Sequence, residues 1–325
     1  MMREDDGLDG ARRNLRLYPL YIVGASFFAW MPVFFLYFSA RLELSDVLLL
    51  EAIYYGCVVL FEVPSGYFSD RFGRRSTLII AAACLVGAYA SFIVSSSFMG
   101  LAFGQALLAL GLALNSGTDT SFHLDNLEAL GRGAQYEQRE ARLSSLMFVT
   151  NSLAAFVGGA AALVDMRLAY ALSLVGALFA LGAAASFQQL HVELDEVPAS
   201  FMVSLRRCAA LAWSPRLGWF FAATVVATIT NHIPYEFYQP YLEQLEGAPW
   251  EADTTPWIAG LHLSLVQVVA APVAASSSWV SRRLGLVPSV LGSMLLQVLL
   301  IASMTWWISP WVALLLVGRS IPGAL

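Results

Sequence analysis

Long apolar runs alternate with short polar breaks along this chain. A membrane-crossing helix needs about 20 mainly apolar residues. Runs of that length fall at roughly 18–40, 46–68, 76–98, 100–123, 143–164, 167–188, 217–240, 257–280 and 287–308, and another opens at Pro310 and stops at Leu325. The pattern predicts an all-α polytopic membrane protein. One polar stretch, 189–216, is longer than the rest and holds His191, Glu193, Asp195, Glu196, Arg206 and Arg207. Within it, 201–205 and 209–213 read as an amphipathic surface helix. The expected organisation is a tail at 1–17, six spans at 18–190, a linker at 191–215 and a second set of spans at 216–325. If the second set equals the first, most of span 10 and all of spans 11 and 12 lie beyond Leu325.

Composition narrows the class. Of 325 residues, 58% are hydrophobic and 13% charged, and mean hydropathy is +0.66. Soluble domains carry about 25% charged residues, so a soluble enzyme, a disordered chain and a disulfide scaffold are all excluded. Cys57, Cys84 and Cys208 are scattered singly, without metal spacing. All 18 basic residues are arginine. They sort by loop: Arg71, Arg74, Arg75, Arg132, Arg139, Arg142, Arg206, Arg207, Arg282 and Arg283 share one side with the tail, while Arg41 and Arg167 fall on the other. The positive-inside rule then places the N-terminus in the cytoplasm. Glu243, Glu246, Glu251 and Asp253 crowd an outer loop. The N-terminus lacks the form of a cleavable signal peptide. No Gly-x4-Gly-Lys-Ser/Thr stretch exists, so ATP-driven pumping by this chain alone is not expected. Neither a catalytic constellation nor a basic nucleic-acid patch stands out. The expectation is a non-enzyme without cofactor, metal or nucleic-acid partner.

One inner turn is distinctive. Gly66-x-x-x-Asp70-Arg71-x-Gly73-Arg74-Arg75 follows the second span. Gly66 suits a close helix approach and Gly73 a tight turn, while Arg71, Arg74 and Arg75 compensate Asp70. Ser281-Arg282-Arg283-Leu284-Gly285 follows the eighth span in the corresponding place, and Pro32 in span 1 matches Pro234 in span 7. Repeats of this kind mark transporters.

The turn closely resembles the loop between helices 2 and 3 of the major facilitator superfamily, with Phe68 and Ser69 replacing the usual Leu-Ala. Glu62-Val63-Pro64-Ser65-Gly66, Ser116-Gly117-Thr118-Asp119 and Leu124-Asp125-Asn126-Leu127 resemble stretches of uncharacterised bacterial members. Gln105 stands where the family often has an arginine early in helix 4. Of the family's antiporter motif in helix 5, only Gly158-Gly159 remains. The resemblance implies two pseudo-symmetric six-helix halves, with about nine to ten of the twelve helices inside this chain. It implies a monomer in a bacterial inner membrane, moving a small molecule, with protons as a second partner. In the family, the aspartate and its arginines lock the halves together on the inner side, partly against helix 11.

Ionisable groups at membrane depth are costly and so become candidates. Glu62 and Asp119, near inner ends of spans, are expected to join Arg71 and Arg74 in a gate network. Glu51 lies one turn inside the outer end of span 2, either wet or facing a cavity. In span 7, His232 and Glu236 are four apart and share a helix face, which suits proton carriage at physiological pH. Asn231 and Gln239 neighbour them, and Pro234 and Pro240 free backbone carbonyls. The alternative for this segment is a wet outer end with aromatic anchors. Trp30, Phe34, Phe35, Tyr37 and Phe38 either line an aromatic cavity or face lipid and neighbouring helices. Gln105, Asn115, Asn151 and Gln267 either bind substrate or bridge helices; His262, near the outer end of span 8, carries less weight. The expected function is secondary active transport by alternating access, as proton-coupled efflux of drug-like or amphipathic compounds. An importer of nutrients or organic anions is the first alternative, and a non-transporting remnant or sensor the second.

Overall fold

A computed structural model describes residues 2–190 and 254–306, with parts of 202–242 and 309–318. Among them the helices are α1 Met2–Ala25, α2 Phe34–Ser39, α3 Leu44–Phe72, α4 Arg74–Val94, α5 Phe98–Asn115, α6 Thr118–Ala129, α7 Tyr136–Ala162, α8 Met166–Ala185, α9 Thr255–Leu284, α10 Leu286–Trp306 and α11 Pro310–Leu315. Among the described residues, six segments are long and apolar enough to cross a membrane: Leu44–Glu62, Arg74–Val94, Phe98–Ala129, Gly133–Ala162, Met166–Ala185 and Thr255–Ser276. Val59, Leu60, Val94, Phe103 and Val175 are exposed on these helices. Outward-facing apolar surface of this extent marks a membrane environment.

The first span departs from expectation. Instead of one helix over 18–40, α1 ends at Ala25, residues 26–33 form turns, and α2 resumes at Phe34. Pro32 supplies part of the reason, because its ring removes a backbone donor and clashes with the preceding turn. A break also divides span 4. Gly117, at φ +72, separates α5 from α6 and lets the chain continue in a new helical phase.

The chain forms two compact units. One comprises Met1–Phe27, Arg41–Glu140 and Tyr170–Ala209; the other comprises Phe28–Ala40, Ala141–Ala169 and Ala210–Leu325. The division therefore passes through α7 and α8. In the first unit, small residues let helices meet closely. A Cβ on Gly111 would lie 3.0 Å from the Ala81 carbonyl oxygen, and one on Gly24 would lie 2.7 Å from the Ala180 nitrogen. Ser97 caps α5 by accepting from the Gly100 N–H, satisfying one of the donors a helix start leaves open. Tyr18, Tyr21, Leu78, Tyr89 and Phe92 fill its interior.

In the second unit, α7 and α9 meet backbone to backbone. A Cβ on Gly159 would lie 2.8 Å from the Gly260 Cα, and one on Gly260 2.7 Å from the Ala155 carbonyl oxygen. Ser152 Oγ and Ser264 Oγ lie 2.9 Å apart, and Phe156 meets Trp257 edge-on at 4.9 Å. This is the small-residue packing that membrane helices favour.

Candidate functional site

The Asp70 turn of the first unit is organised by Gly73. It links α3 to α4 at φ +89, ψ 147, a conformation open almost only to glycine. A Cβ there would lie 2.5 Å from Gln189 Nε2. The turn gathers Asp70, Arg74 and Arg75 at one corner. Arg74 Nη1 donates to Asp70 Oδ1 at 2.6 Å and to Ser69 Oγ at 2.9 Å, and its Nε reaches Asp125 Oδ2 at 3.4 Å. Arg75 does something different. Its Nε donates to the Phe187 carbonyl oxygen at 2.6 Å and its Nη2 to the Ala185 carbonyl oxygen at 2.9 Å. These carbonyls lie at the end of α8, where helix acceptors lack partners and cations are favoured. Arg71 turns to the Tyr67 hydroxyl at 2.9 Å. Arg74 is thus the arginine that compensates Asp70, rather than all three.

Beside this corner, Asn14 Nδ2 donates to Asn126 Oδ1 at 2.8 Å and to the Gln188 carbonyl at 2.9 Å, and Asn14 Oδ1 accepts from the Gln188 N–H at 2.8 Å. Both asparagines are fully buried, and their bonds explain why that is tolerable. A pocket of about 200 Å³ opens between Ser69, Asp70, Arg74, Arg75, Asp125 and Gln189.

Three expectations for this corner change. Glu62 does not join it: Glu62 Oε1 accepts from Ser116 Oγ at 2.9 Å, because it sits about two turns back along α3 from Asp70. Asp119 does not join it either, but accepts from Asn115 Nδ2 at 3.2 Å and from the Thr120 N–H at 2.7 Å. The phase change at Gly117 brings Asp125 to Arg74 instead. Gly66 makes no close approach; among the described residues a Cβ there would meet nothing within 4 Å. Towards the other end of α3, Glu51 is a helix bridge, its Oε1 accepting from Gln105 Nε2 at 3.1 Å.

The second site is in the second unit, where the first span is interrupted. Gln239, fully buried, bonds the open backbone on both sides of the break. Its Nε2 donates to the Met31 carbonyl at 3.0 Å, and its Oε1 accepts from the N–H groups of Phe35 at 3.2 Å and Leu36 at 3.4 Å. Phe35 and Leu36 lie in the first turn of α2, whose own N-cap, Val33, offers no side-chain acceptor. The amide oxygen therefore caps α2 from another segment, the role usually held by a local Ser, Asp or Asn. Tyr238 adds its hydroxyl to the Met31 carbonyl at 3.3 Å, and its ring stacks on His262 at 5.6 Å. Gln239 is thus committed to the backbone.

Trp30, Phe34, Tyr37 and Phe38 are buried in this unit, with Trp30 and Phe34 edge to face at 5.9 Å. They pack inside protein rather than against lipid. Asn151 on α7 and Gln267 on α9 each carry a buried side-chain oxygen, Oδ1 and Oε1, without a hydrogen-bond partner among the described residues. Asn231, His232 and Glu236 lie outside the described residues, as do Pro234, Arg319 and most of the 191–215 linker.

No family model matches the sequence, and neither does any curated protein. Solved structures do match in shape. A mutant of the nucleoside transporter NupG superposes with a TM-score of 0.76 at 13% identity, covering 95% of this chain and 78% of its own. The D-xylose–proton symporter gives 0.62 at 12% identity, covering 96% and 79%. A sulfate-bound mutant of the peptide transporter POT gives 0.62 at 14%, covering 97% and 80%. The chain shares the fold of these transporter structures. Within that fold, the interrupted helix is the first span and the Asp70 corner is the turn between the second and third.

Several residues at these sites carry little sequence signal. Asn14 sits in a polar N-terminal stretch that reads as tail. His123 and Glu140, whose side chains meet in the first unit, are separated by a loop and are unremarkable one at a time. Only a three-dimensional neighbour distinguishes them from surface polar groups.

Proposed function

We propose that the protein is a secondary active transporter that moves a small molecule by alternating access. The observation that carries this reading is the pair of buried oxygens Asn151 Oδ1 and Gln267 Oε1 on apolar, span-length helices, which among the described residues meet no donor. A buried acceptor without a donor costs about 1–3 kcal/mol, and a bound substrate bearing N–H or O–H groups removes that cost. The substrate inferred is amphipathic, with hydrogen-bond donors on a largely apolar body. Gly66, Asp70, Arg71, Gly73, Arg74 and Arg75 are assigned to the inner gate, with Asp125 as the working partner of Arg74. We take the driving force to be a proton gradient, the direction to be efflux, and the arginine-rich ends to face the cytoplasm of a bacterial inner membrane, with the chain acting as a monomer. From the sequence, His232 and Glu236 are the proton carriers, beside Asn231. Import is the second reading, and it is favoured by similar structures named for nucleosides, D-xylose with protons, and peptides.

The test uses the full chain in proteoliposomes with an imposed pH gradient. Accumulation of ethidium, uridine, D-xylose and a dipeptide is measured in both directions. One class accumulates against its own gradient, and a protonophore abolishes this. Concentrative transport that survives collapse of the pH gradient removes proton coupling. Failure of every class sinks the transporter reading in favour of a sensor or remnant. Asn151→Ala and Gln267→Ala each raise the apparent KM by about tenfold, the equivalent of roughly 1.4 kcal/mol of lost substrate bonding.

A further inference from the structure

We propose that Asp119, His123 and Glu140 form a proton-binding site at the arginine-rich end of the first unit. The proposal rests on the proton-coupled reading above and joins Asp119 to two residues, His123 and Glu140, that the sequence did not single out.

His123, on α6, is 2% exposed. Its Nδ1 lies 2.5 Å from Glu140 Oε1 at the start of α7, so a proton sits on one of these two atoms. Tyr18 of α1 stacks on the imidazole at 4.8 Å with rings 21° apart, and Tyr136 approaches it at 5.8 Å. One turn earlier on α6 is Asp119, held by Asn115 Nδ2 and the Thr120 N–H. Asn115 Oδ1 in turn accepts from the Tyr21 hydroxyl of α1 at 2.5 Å. The titratable groups around His123 are therefore Tyr18 and Tyr21 from α1, Asp119 from α6, and Tyr136 and Glu140 from α7. The group facing it from α5, Asn115, is neutral.

Charge is the deciding quantity. Two carboxylates and one imidazole share the cluster, and among the described residues no arginine pairs with any of them. Asp119 and Glu140 are half-buried, and a partly desolvated carboxylate without a counter-charge is disfavoured. The Asp70 corner handles the same problem with a fixed cation, Arg74. Among the described residues the counterpart here is the protonatable imidazole of His123. With His123 charged and one carboxyl protonated the cluster is neutral, and each proton lost leaves one more net negative charge. Protons come from water at the arginine-rich side, form N–H or O–H bonds in the cluster, and return to that water when released. Imidazole is the side chain whose ordinary titration falls near neutral pH. The cluster also touches α1 at Tyr18 and, through Asn115, at Tyr21. Its protonation is therefore felt by the helix that leads into the interrupted first span.

The test is histidine NMR on the full chain in lipid nanodiscs between pH 5 and 8. The chain has four histidines, His123, His191, His232 and His262, and His123→Gln identifies the signal of interest. In Glu140→Gln the pH response of the His123 signal differs from that of the native chain, because the neighbouring carboxylate that meets Nδ1 is gone. Asp119→Asn changes it by less. His232→Gln leaves it in place. An unchanged His123 midpoint in both Glu140→Gln and Asp119→Asn overturns the proposal. Because either variant could fold poorly, Tyr18→Phe serves as a second probe: it keeps the stacked ring and preserves the pH-dependent signal. A His123 signal that does not titrate in Tyr18→Phe, or in the native chain, overturns the proposal as well. The transporter reading is read separately in proteoliposomes. Proton-driven transport that is intact in a His123→Gln, Glu140→Gln double variant overturns this site while leaving that reading standing. NMR titration as expected in a chain that transports nothing keeps the site and removes the transporter.

Discussion

Two glycines in one motif have opposite jobs. Gly73 holds a backbone conformation that other residues reach only at a cost of order 1–3 kcal/mol, and Gln189 already fills the space a Cβ needs. Gly73→Ala is expected to lower the melting temperature in detergent measurably. Gly66 lies inside α3 with open space at its Cβ position. A helix-interior glycine costs about 0.5–1 kcal/mol relative to alanine, so Gly66→Ala is expected to stabilise the protein. Equal effects from the two substitutions would contradict the geometry. The arginines divide in the same way. Arg75→Lys keeps the charge but loses the planar fork that reaches both Ala185 and Phe187 carbonyls. Hydrogen bonds to charged groups contribute about 1.5–3 kcal/mol each, so unfolding midpoints should fall for Arg75→Lys and not for Arg71→Lys. The motif marked these residues as a turn between two spans. It could not show which arginine serves which partner, because that depends on where the end of α8 lies.

Among the elements, the first span is the clearest departure from what hydropathy predicts. Its apolar run is continuous, so a hydropathy pattern reads one helix. The break is a backbone event, marked in sequence only by Pro32, and its remedy comes from Gln239, far along the chain. Gln239 fits because a carboxamide donates at one atom and accepts at the other. Gln239→Leu leaves the Met31 carbonyl and the Phe35 N–H without this partner, a loss of roughly 1–3 kcal/mol visible as a lower thermal midpoint. Gln239→Glu is the sharper variant. An ionised carboxylate still accepts from Phe35 but opposes the Met31 carbonyl with like polarity. Protonation restores a donor, so the stability of Gln239→Glu should rise as pH falls, relative to the native chain. A pH-independent difference would show that the amide does not donate to Met31. The phase change at Gly117 had the same hidden effect. It exchanged Asp119 for Asp125 at Arg74, and no spacing rule applied to an unbroken helix would give that.

For the molecule as a whole, the sequence was most informative. Span-length helices, their apolar outer faces and the fold class all followed from run length and one loop motif. Helix runs are set by the bilayer's thickness, a constraint that acts on every residue of a span and so is written redundantly. Polar contacts between distant segments are each written once, which is why His123 with Glu140 and Asn14 with Asn126 escaped notice. Orientation is testable at this scale too. In a background with Cys57, Cys84 and Cys208 replaced by Ser, a cysteine at Phe72 should react with a membrane-impermeant maleimide only after the cell is opened. One at Val164 should react in intact cells. Both side chains are exposed, Phe72 beside the Arg74 turn and Val164 between α7 and α8. Reversed reactivity would invert the topology.

The backbone contact between α7 and α9 has a mechanical consequence. At Gly159 and Gly260 no side chains interlock, so rotation about that crossing forces no rotamer to change. Interdigitated helices must climb over one another's side chains to turn, whereas these two can roll. The crossing has the form of a bearing, and the Ser152–Ser264 and Phe156–Trp257 contacts, which flank Gly260 along α9, would limit its travel. An alanine at either glycine would be a shim driven into it. The helices would be held apart at a cost in stability, because the atoms that the new methyl group meets are backbone and cannot swing aside.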